Sequence, residues 1–153
     1  MADTALTSLL AEDSIRLDCT AVDRFDAVRQ CGAALVAAGA VDESYVDAMI
    51  QRENTVSTFV GEGVAIPHGT LAGKESVKRD ALVVLRFPEG VDWEGNAVSV
   101  CVGIAAAGGG HIALLSQLAE ILLDPAKAEQ LRTATSAEQV YALLTPSDDD
   151  DDD

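Results

Sequence analysis

Two apolar stretches in the second half of the chain restrict its fold more than any other feature. Ala81 to Phe87 and Val98 to Ala105 are rich in valine, leucine and isoleucine and contain few polar residues. This composition is typical of strands that are buried on both faces, and such strands need helices on both sides of their sheet. We therefore expect a central sheet that is covered by helices.

Helical spacing of apolar residues predicts several of those helices. The longest run from about Arg24 to Ala38, where Gly39 follows as a C-terminal cap, and from His111 to Leu123. Asp42 is the expected N-cap of a further helix that ends near Asn54. Two short helices complete the set: one starts at Asp124-Pro125, and one starts at the capping box Ser136-x-x-Gln139 and ends near Leu144.

The remaining local patterns are shorter. Leu6 to Ala11 has helical spacing, whereas Ile15 to Asp18 alternates like a strand, and Thr55 to Val60 has a β-type composition. Pro88-Glu-Gly90 predicts a turn, and Gly108-Gly-Gly110 ends the second apolar strand. Because helices and strands are intermingled, the fold class is α/β or α+β with a mixed sheet.

The charge of the chain limits its partners. The 153 residues fit one domain, and the formal net charge is −16. Removing the six aspartates at 148–153 still leaves −10, so the body is acidic as well. This charge disfavours nucleic acids and anionic membranes as partners and favours a basic partner, or else a high-salt or high-GC source. We expect one domain over residues 1–145 and a disordered acidic tail over residues 146–153.

Cysteine usage and the absence of targeting signals indicate a cytoplasmic protein. Cys19, Cys31 and Cys101 are odd in number and far apart, so we expect buried, reduced thiols and no disulfide. No basic segment followed by an apolar stretch opens the chain. The longest mostly apolar stretch, Ala97 to Gly110, is too short and too rich in glycine to span a bilayer.

The segment Gly61-Glu-Gly-Val-Ala-Ile-Pro-His-Gly69 contains one of only two histidines. Pro67 restricts its own φ and favours an extended Ile66, while Gly69 permits a turn directly after the histidine. Imidazole is the side chain that acts most readily as a neutral nucleophile near pH 7. His68 is therefore a candidate nucleophile; the alternative is a polar loop histidine with no chemical role.

The second histidine, His111, follows Gly108-Gly-Gly110 and opens a helix. The first turn of a helix presents free backbone N–H groups and the positive end of the macrodipole, which together favour phosphate. The alternative is that these glycines only connect a strand to a helix. Arg52 lies at the end of the helix that is predicted between Asp42 and about Asn54. Its guanidinium could bind phosphate, or it could simply be a solvated cation that caps the helix.

Other motifs are weaker. The segment from Gly69 to Glu75 resembles a phosphate-binding P-loop, but the pattern requires glycine at position 68 and Ser or Thr at position 75. A metal site formed by His68, His111 and a carboxylate stays open, although no His-x-x-x-His spacing supports it. Glu53 and Glu62, near the candidate nucleophile, are expected to be solvated or tuning residues and not bases.

These residues, taken in order, resemble the mannitol/fructose-type enzyme IIA of the bacterial sugar phosphotransferase system. The resemblance runs from about Asp13 to Leu144 and is carried by Arg52-Glu53, the segment Gly61 to Gly69, Phe87-Pro-Glu-Gly-Val91 and Val102-Gly-Ile-Ala-Ala106 with His111-Ile112. It implies an α/β domain with a mixed sheet of about five strands flanked by helices. Gly108-Gly-Gly110 departs from the polar residues that the mannitol enzymes usually carry before their second histidine.

The resemblance also implies a function. His68 would be the phosphorylated nucleophile, with His111 stabilising and Arg52 orienting the phosphate, without a metal or cofactor. The donor would be the phosphocarrier protein HPr, and the acceptor the enzyme IIB domain of a mannitol or, less well supported, a fructose permease. Two alternatives stay open: a regulatory, nitrogen-type enzyme IIA with no transport role, and a binding or metal module without phosphotransfer.

Overall fold

The computed structural model of the protein describes residues 10–55, 57–69, 77–105 and 110–144, and for residues 110–115 it describes the backbone alone. The strands in the described part of the chain are β1 (Leu10–Arg16), β2 (Phe59–Gly61), β3 (Val64–Ala65), β4 (Ala81–Trp93) and β5 (Asn96–Ala105). The helices there are α1 (Arg24–Ala37), α2 (Ser44–Thr55), α3 (Gly110–Leu122), α4 (Pro125–Arg132) and α5 (Ala137–Leu144).

The strands form one mixed sheet in the order β1-β4-β5-β3-β2. The central pair, β4 and β5, is antiparallel, while β1 joins β4 in parallel and β3 joins β5 in parallel. β2 pairs with β3 in antiparallel orientation at the edge. The prediction of a mixed sheet of about five strands flanked by helices is confirmed.

Side chains on the two central strands alternate between two hydrophobic layers. Val83 and Leu85 face α1 and α2, whereas Leu82 and Val84 face the layer that contains α3, α4 and α5. Each of these side chains is essentially inaccessible to solvent. This two-sided burial explains why β4 and β5 are continuous apolar runs in the sequence.

Helix α1 has the predicted limits because both of its ends are satisfied locally. The Asp23 carboxylate accepts a hydrogen bond from the Asp26 backbone N–H at 2.8 Å, and the Asp26 carboxylate accepts one from the Val22 N–H at 3.0 Å. At the other end, Gly39 adopts a φ of +76° and donates its N–H to the Val36 carbonyl.

The remaining helix starts agree with their capping signals except at α2. Asp124 caps α4 by accepting from the Ala126 N–H, and Ser136 accepts from the Gln139 N–H at the start of α5. Helix α2, however, begins at Ser44, so the prediction that Asp42 is its N-cap is wrong. The Asp42 carboxylate instead forms an ion pair with Lys78 at 3.2 Å.

Two predictions at the start of the chain and after α2 are corrected. Strand β1 includes Leu10 and Ala11, which were expected to be helical, and it ends at Arg16 rather than Asp18. Thr55 belongs to α2, and its hydroxyl donates to the Gln51 carbonyl one turn earlier. Of the described residues in the expected strand Thr55–Val60, only Phe59 and Val60 lie in a strand, and that strand, β2, ends at Gly61.

The predicted turn at Pro88-Glu-Gly90 is wrong because β4 continues through it. The pairing of β4 with β5 shifts register between Arg86 and Val91, and Gly90 absorbs the irregularity with a φ of +81°. The chain reverses later, at Glu94-Gly95, and both of these residues have a positive φ. Positive φ at both central residues is what the two-residue hairpin turn requires, since that turn matches the twist of the strands.

All three cysteines are free thiols, as predicted, with Cys31 and Cys101 buried and Cys19 half-buried. Among the described residues, no helix has both the length and the apolar character needed to cross a membrane. The expected tail at 146–153, the glycines at 108 and 109 and most of the P-loop-like segment lie outside the described residues.

We predict that Gly103→Ala lowers the free energy of unfolding by about 1–3 kcal/mol, because the added methyl group overpacks the layer under α1. A Cβ at this position would lie 2.8 Å from Val83 Cγ2 and 3.0 Å from Cys31 Cβ. Urea unfolding would measure the change. Val83→Ala should lower the free energy of unfolding by less in the Gly103→Ala background than in the wild type, because it makes room for the added methyl group. Additive effects of the two substitutions would contradict this explanation.

Candidate functional site

The segment that contains His68 continues strand β3 along β5. Val64 lies opposite Val100, Ala65 opposite Cys101, and His68 opposite Ile104, so a constant register is kept through Pro67. The Ile104 N–H donates to the Pro67 carbonyl at 2.9 Å. Proline is tolerated here because the hydrogen bond uses its carbonyl and requires no N–H. His68 therefore stands at the end of a rigid, extended segment.

The imidazole of His68 is held in a defined tautomer. Its Nδ1 lies 2.9 Å from the Ile66 carbonyl oxygen, and the residue is only 8% exposed. A carbonyl oxygen can only accept, so in the neutral ring Nδ1 carries the proton and Nε2 carries the lone pair. Nε2 is consequently the nucleophilic atom of this histidine.

The hydroxyl of Tyr45 fixes the backbone on the other side of His68. It donates to the Ile104 carbonyl and accepts from the Gly69 N–H, both at 2.9 Å. Any Cβ on Gly69 would lie 2.6 Å from Cε1 of the tyrosine ring, so glycine is required by this close approach. Burial raises the pKa of Tyr45, and the hydrogen bond from Gly69 opposes that shift.

Glu53 is buried, so of the two roles expected for it, a solvated or a tuning residue, the solvated one is excluded. It is 2% exposed, and its carboxylate accepts hydrogen bonds from the backbone N–H and hydroxyl of Thr58 and from the Trp93 indole N–H at 2.9 Å. The Nε of Arg24 lies 3.4 Å from the same carboxylate. Glu62, by contrast, is exposed as expected, in the tight turn between β2 and β3.

Arg52 lies in the last turn of α2, directly before Glu53. A cation in the last turn of a helix complements the macrodipole. The contacts of Glu53 with Thr58, and of the Thr58 carbonyl with the Ile66 N–H at 3.0 Å, join this helix end to the segment that contains His68. The structure thus connects the elements that bear these two predicted site residues.

The N-terminus of α3 lies at the same end of the sheet as His68. At the opposite end of this helix, the Leu123 side chain lies beside Gly61, which pairs with Val64 at the start of β3, four residues before the histidine. Strand β5 ends at Ala105, one residue after Ile104, which pairs with His68, and α3 begins only five residues later, at Gly110. Helix α3 therefore runs back from the His68 end. The backbone of His111 is in its first turn, while the His111 side chain lies outside the description.

The polar residues that support the site were only partly visible in the sequence. Tyr45, Met49 and Glu53 are spaced four residues apart and lie on the buried side of α2. A carboxylate on an apolar helical stripe was the available signal for a buried Glu53. No comparable signal marks the hydroxyl of Tyr45, because its partners are 24 and 59 residues away. Among the side chains described, no group of three or more His, Cys, Asp or Glu residues could hold a metal.

The family of the chain follows from a match over nearly its whole length. The family model described as "Phosphoenolpyruvate-dependent sugar phosphotransferase system, EIIA 2" matches residues 8–146. The chain belongs to this family. The matched range includes Arg52, His68 and His111, the three residues to which the resemblance assigns roles.

Individual relatives agree with this assignment. The mannitol-specific phosphotransferase enzyme IIA component of Staphylococcus aureus (strain MRSA252) is 40% identical over 143 residues, which are 94% of this chain and 99% of that protein. The multiphosphoryl transfer protein of Escherichia coli O157:H7 is 49% identical over 123 residues, or 80% of this chain. The chain spans only about a third of that protein, since the match covers 33% of its length.

The fold matches a solved member of the same system. In the Escherichia coli complex of enzyme IIAMTL and phosphorylated enzyme IIBMTL, the matching chain superimposes with a TM-score of 0.83 at 34% sequence identity. The superposition covers 89% of this chain and 98% of that one. The five-stranded mixed sheet with its flanking helices is therefore the enzyme IIA fold.

We predict that Tyr45→Phe flattens the loss of stability at alkaline pH. Burial raises the pKa of Tyr45 above its ordinary value of 10.0. The protonated hydroxyl therefore makes its full contribution to the free energy of unfolding below pH 10.0, and that contribution is lost as the pH rises through the pKa of the folded state. At neutral pH the variant should lose about 1–3 kcal/mol, because it leaves buried backbone groups without a partner.

Unfolding in urea at several values between about pH 8 and about pH 11 would measure both effects. Val140→Ala is the control, because it removes packing in α5 and no titrating group. Its free energy of unfolding should fall with rising pH as steeply as that of the wild type. A Tyr45→Phe slope equal to that of the wild type would contradict the assignment.

Proposed function

We propose that this protein is a phosphocarrier whose His68 accepts a phosphoryl group from phospho-HPr and passes it to the enzyme IIB of a mannitol permease. The observation that carries the proposal is the contact of His68 Nδ1 with the Ile66 carbonyl, which reserves Nε2 for attack. A bond forms between Nε2 and phosphorus as the bond from phosphorus to the donor imidazole nitrogen breaks, and the donor leaves as a neutral histidine. In the transfer to enzyme IIB, a bond forms between phosphorus and the nucleophile of that domain, a cysteine by the family resemblance, as the bond from phosphorus to Nε2 breaks and His68 is regenerated.

Phosphoryl transfer requires mainly positioning and charge compensation from the protein. Arg52, at the end of α2, orients the phosphoryl oxygens. His111 and the backbone N–H groups at the start of α3 stabilise the oxygens on the other side. The location of α3, with its N-terminus at the His68 end of the sheet, supports this arrangement.

Partner recognition fits the charge of the chain. Its formal net charge of −16 suits basic docking faces on the donor and acceptor proteins. We expect association to be fast and to weaken with added salt. Residues 1–145 form the carrier domain and 146–153 an acidic tail, and the protein works in the cytoplasm, where HPr and the permease domains would meet it.

Of the possible sugars, we favour mannitol over fructose. The end-to-end similarity to the Staphylococcus aureus mannitol-specific component supports this choice, as does the presence of His111. The alternative is a nitrogen-type regulatory enzyme IIA, which is phosphorylated but feeds no transporter. The two functions differ in the fate of the phosphoryl group and can be separated by one transfer assay.

We predict that incubation with phosphoenolpyruvate, enzyme I and HPr adds one acid-labile phosphoryl group to the wild type and none to His68→Ala. The physical reason is that the variant lacks the nitrogen that forms the phosphoramidate bond. Intact-mass analysis before and after mild acid treatment measures the modification.

Adding purified enzyme IIB domains then tests the acceptor. Discharge to a mannitol-specific domain, faster than to a fructose-specific one, is the expected result. A phosphorylated protein that discharges to neither domain would favour the regulatory alternative. Absence of phosphorylation with carriers that are active on another enzyme IIA would overturn the phosphocarrier proposal.

We predict that Arg52→Ala and His111→Ala each slow phosphoryl transfer from phospho-HPr by about 10–1000-fold without changing the modified atom. Arg52→Lys should restore only part of the rate, since an ammonium lacks the forked geometry of guanidinium. Rapid-quench single-turnover assays would measure the rates. Wild-type rates in either alanine variant would remove that residue from the proposed mechanism.

A further inference from the structure

Glu53 is a buried carboxylate for which the proposed mechanism has no role. It is 2% exposed, although a buried charge is costly unless it is hydrogen-bonded on all sides. We propose that Glu53 is a positioning residue that acts through Thr58 and Ile66 to fix the imidazole of His68 for phosphoryl transfer. This inference rests on the proposed phosphocarrier function.

The carboxylate of Glu53 gathers donors from three different elements. Thr58, in the loop after α2, donates its backbone N–H at 3.2 Å and its hydroxyl to Oε1. Trp93, at the end of β4, donates its indole N–H to Oε2 at 2.9 Å, and Arg24, at the start of α1, lies 3.4 Å from the same oxygen. Glu53 therefore holds the Thr58 backbone at a set distance from α1, α2 and β4.

A chain of hydrogen bonds continues from Thr58 to His68. The Thr58 carbonyl accepts from the Ile66 N–H at 3.0 Å, and the Ile66 carbonyl accepts from Nδ1 of His68 at 2.9 Å. Ile66 thus donates on one side and accepts on the other, and its side chain is 1% exposed in the layer under α3. A shift of Thr58 is consequently transmitted to the carbonyl that selects the His68 tautomer.

Glu53 also adjoins Arg52 in α2, so the same carboxylate anchors the helix end that carries the proposed phosphate-orienting cation. The loss of its charge should therefore affect the proposed nucleophile and the proposed clamp together. A residue that served stability alone would not change the tautomer of one histidine.

The informative substitution is Glu53→Gln, which keeps the shape and replaces one acceptor oxygen by an NH₂ donor. The groups around both carboxylate oxygens include N–H donors, so the amide must direct its NH₂ group toward a donor. Thr58→Val provides a second variant because it removes the hydroxyl and keeps the backbone N–H, while Thr58→Ser keeps both.

Two measurements test the proposal. Rapid-quench assays would give the single-turnover rate of phosphoryl transfer from phospho-HPr. Long-range ¹H–¹⁵N NMR of the ring nitrogens, at mildly alkaline pH, would give the tautomer of His68. We expect the wild type to hold the proton on Nδ1. In Glu53→Gln we expect at least a tenfold lower transfer rate and a measurable fraction of Nε2–H tautomer. Thr58→Val should show a smaller change in the same direction, and Thr58→Ser should match the wild type.

Val140→Ala is the matched control, since Val140 is buried in α5 within the opposite layer. Both measurements are made at a temperature at which the control and Glu53→Gln have equal folded fractions. An unchanged His68 tautomer in Glu53→Gln would overturn the proposal even if the rate fell, because the effect would then be general destabilisation. A control that is slowed as much as Glu53→Gln would overturn it as well.

The failure of the phosphocarrier function would be recognised separately. In that case phospho-HPr does not phosphorylate the wild type at all, while the NMR comparison still reports whether Glu53 controls the His68 ring. A wild type that is phosphorylated at the same rate as Glu53→Gln would preserve the function and refute the role of Glu53.

Discussion

The burial of β4 and β5 on both faces is the constraint on which the rest of the structure depends. Because these strands have no solvent-facing side, helices must cover each face of the sheet, and α1 with α2 and α3 with α4 and α5 fill those two layers. Strand β3 can then pair with β5 in parallel, and this pairing delivers His68 to one end of the sheet.

Polar groups within this apolar frame determine the chemistry at that end. Tyr45 holds the backbone at Gly69 and Ile104, and Glu53 holds the loop that leads to Ile66. A buried carboxylate and a buried hydroxyl are costly unless every partner is in place, so these networks favour one arrangement of the backbone. A single tautomer of His68 follows from that arrangement, and it matches what a nucleophilic Nε2 requires.

Local signals predicted the parts of the fold that local contacts control. The limits of α1 and the start of α4 agree with the sequence because their caps are formed by neighbouring residues. The failures occurred where contacts with another strand or with a side chain of another element prevailed over the local pattern. Pairing with β5 carries β4 through the turn-like Pro88-Glu-Gly90, and the side chain of Glu53 takes the Thr58 N–H that a longer strand β2 would have used.

The sequence by itself determined a sheet with two covered faces, a histidine fixed between proline and glycine, and free cysteines in a predominantly acidic chain. Those features follow from composition, spacing and the restricted φ of proline, all of which act within a few residues. Only the tertiary structure decided which nitrogen of His68 carries the lone pair, that Glu53 is buried, and that α3 begins at the same end of the sheet as the histidine. The physical reason is that hydrogen bonds such as Trp93 to Glu53 join residues 40 positions apart, and no local pattern encodes such partners.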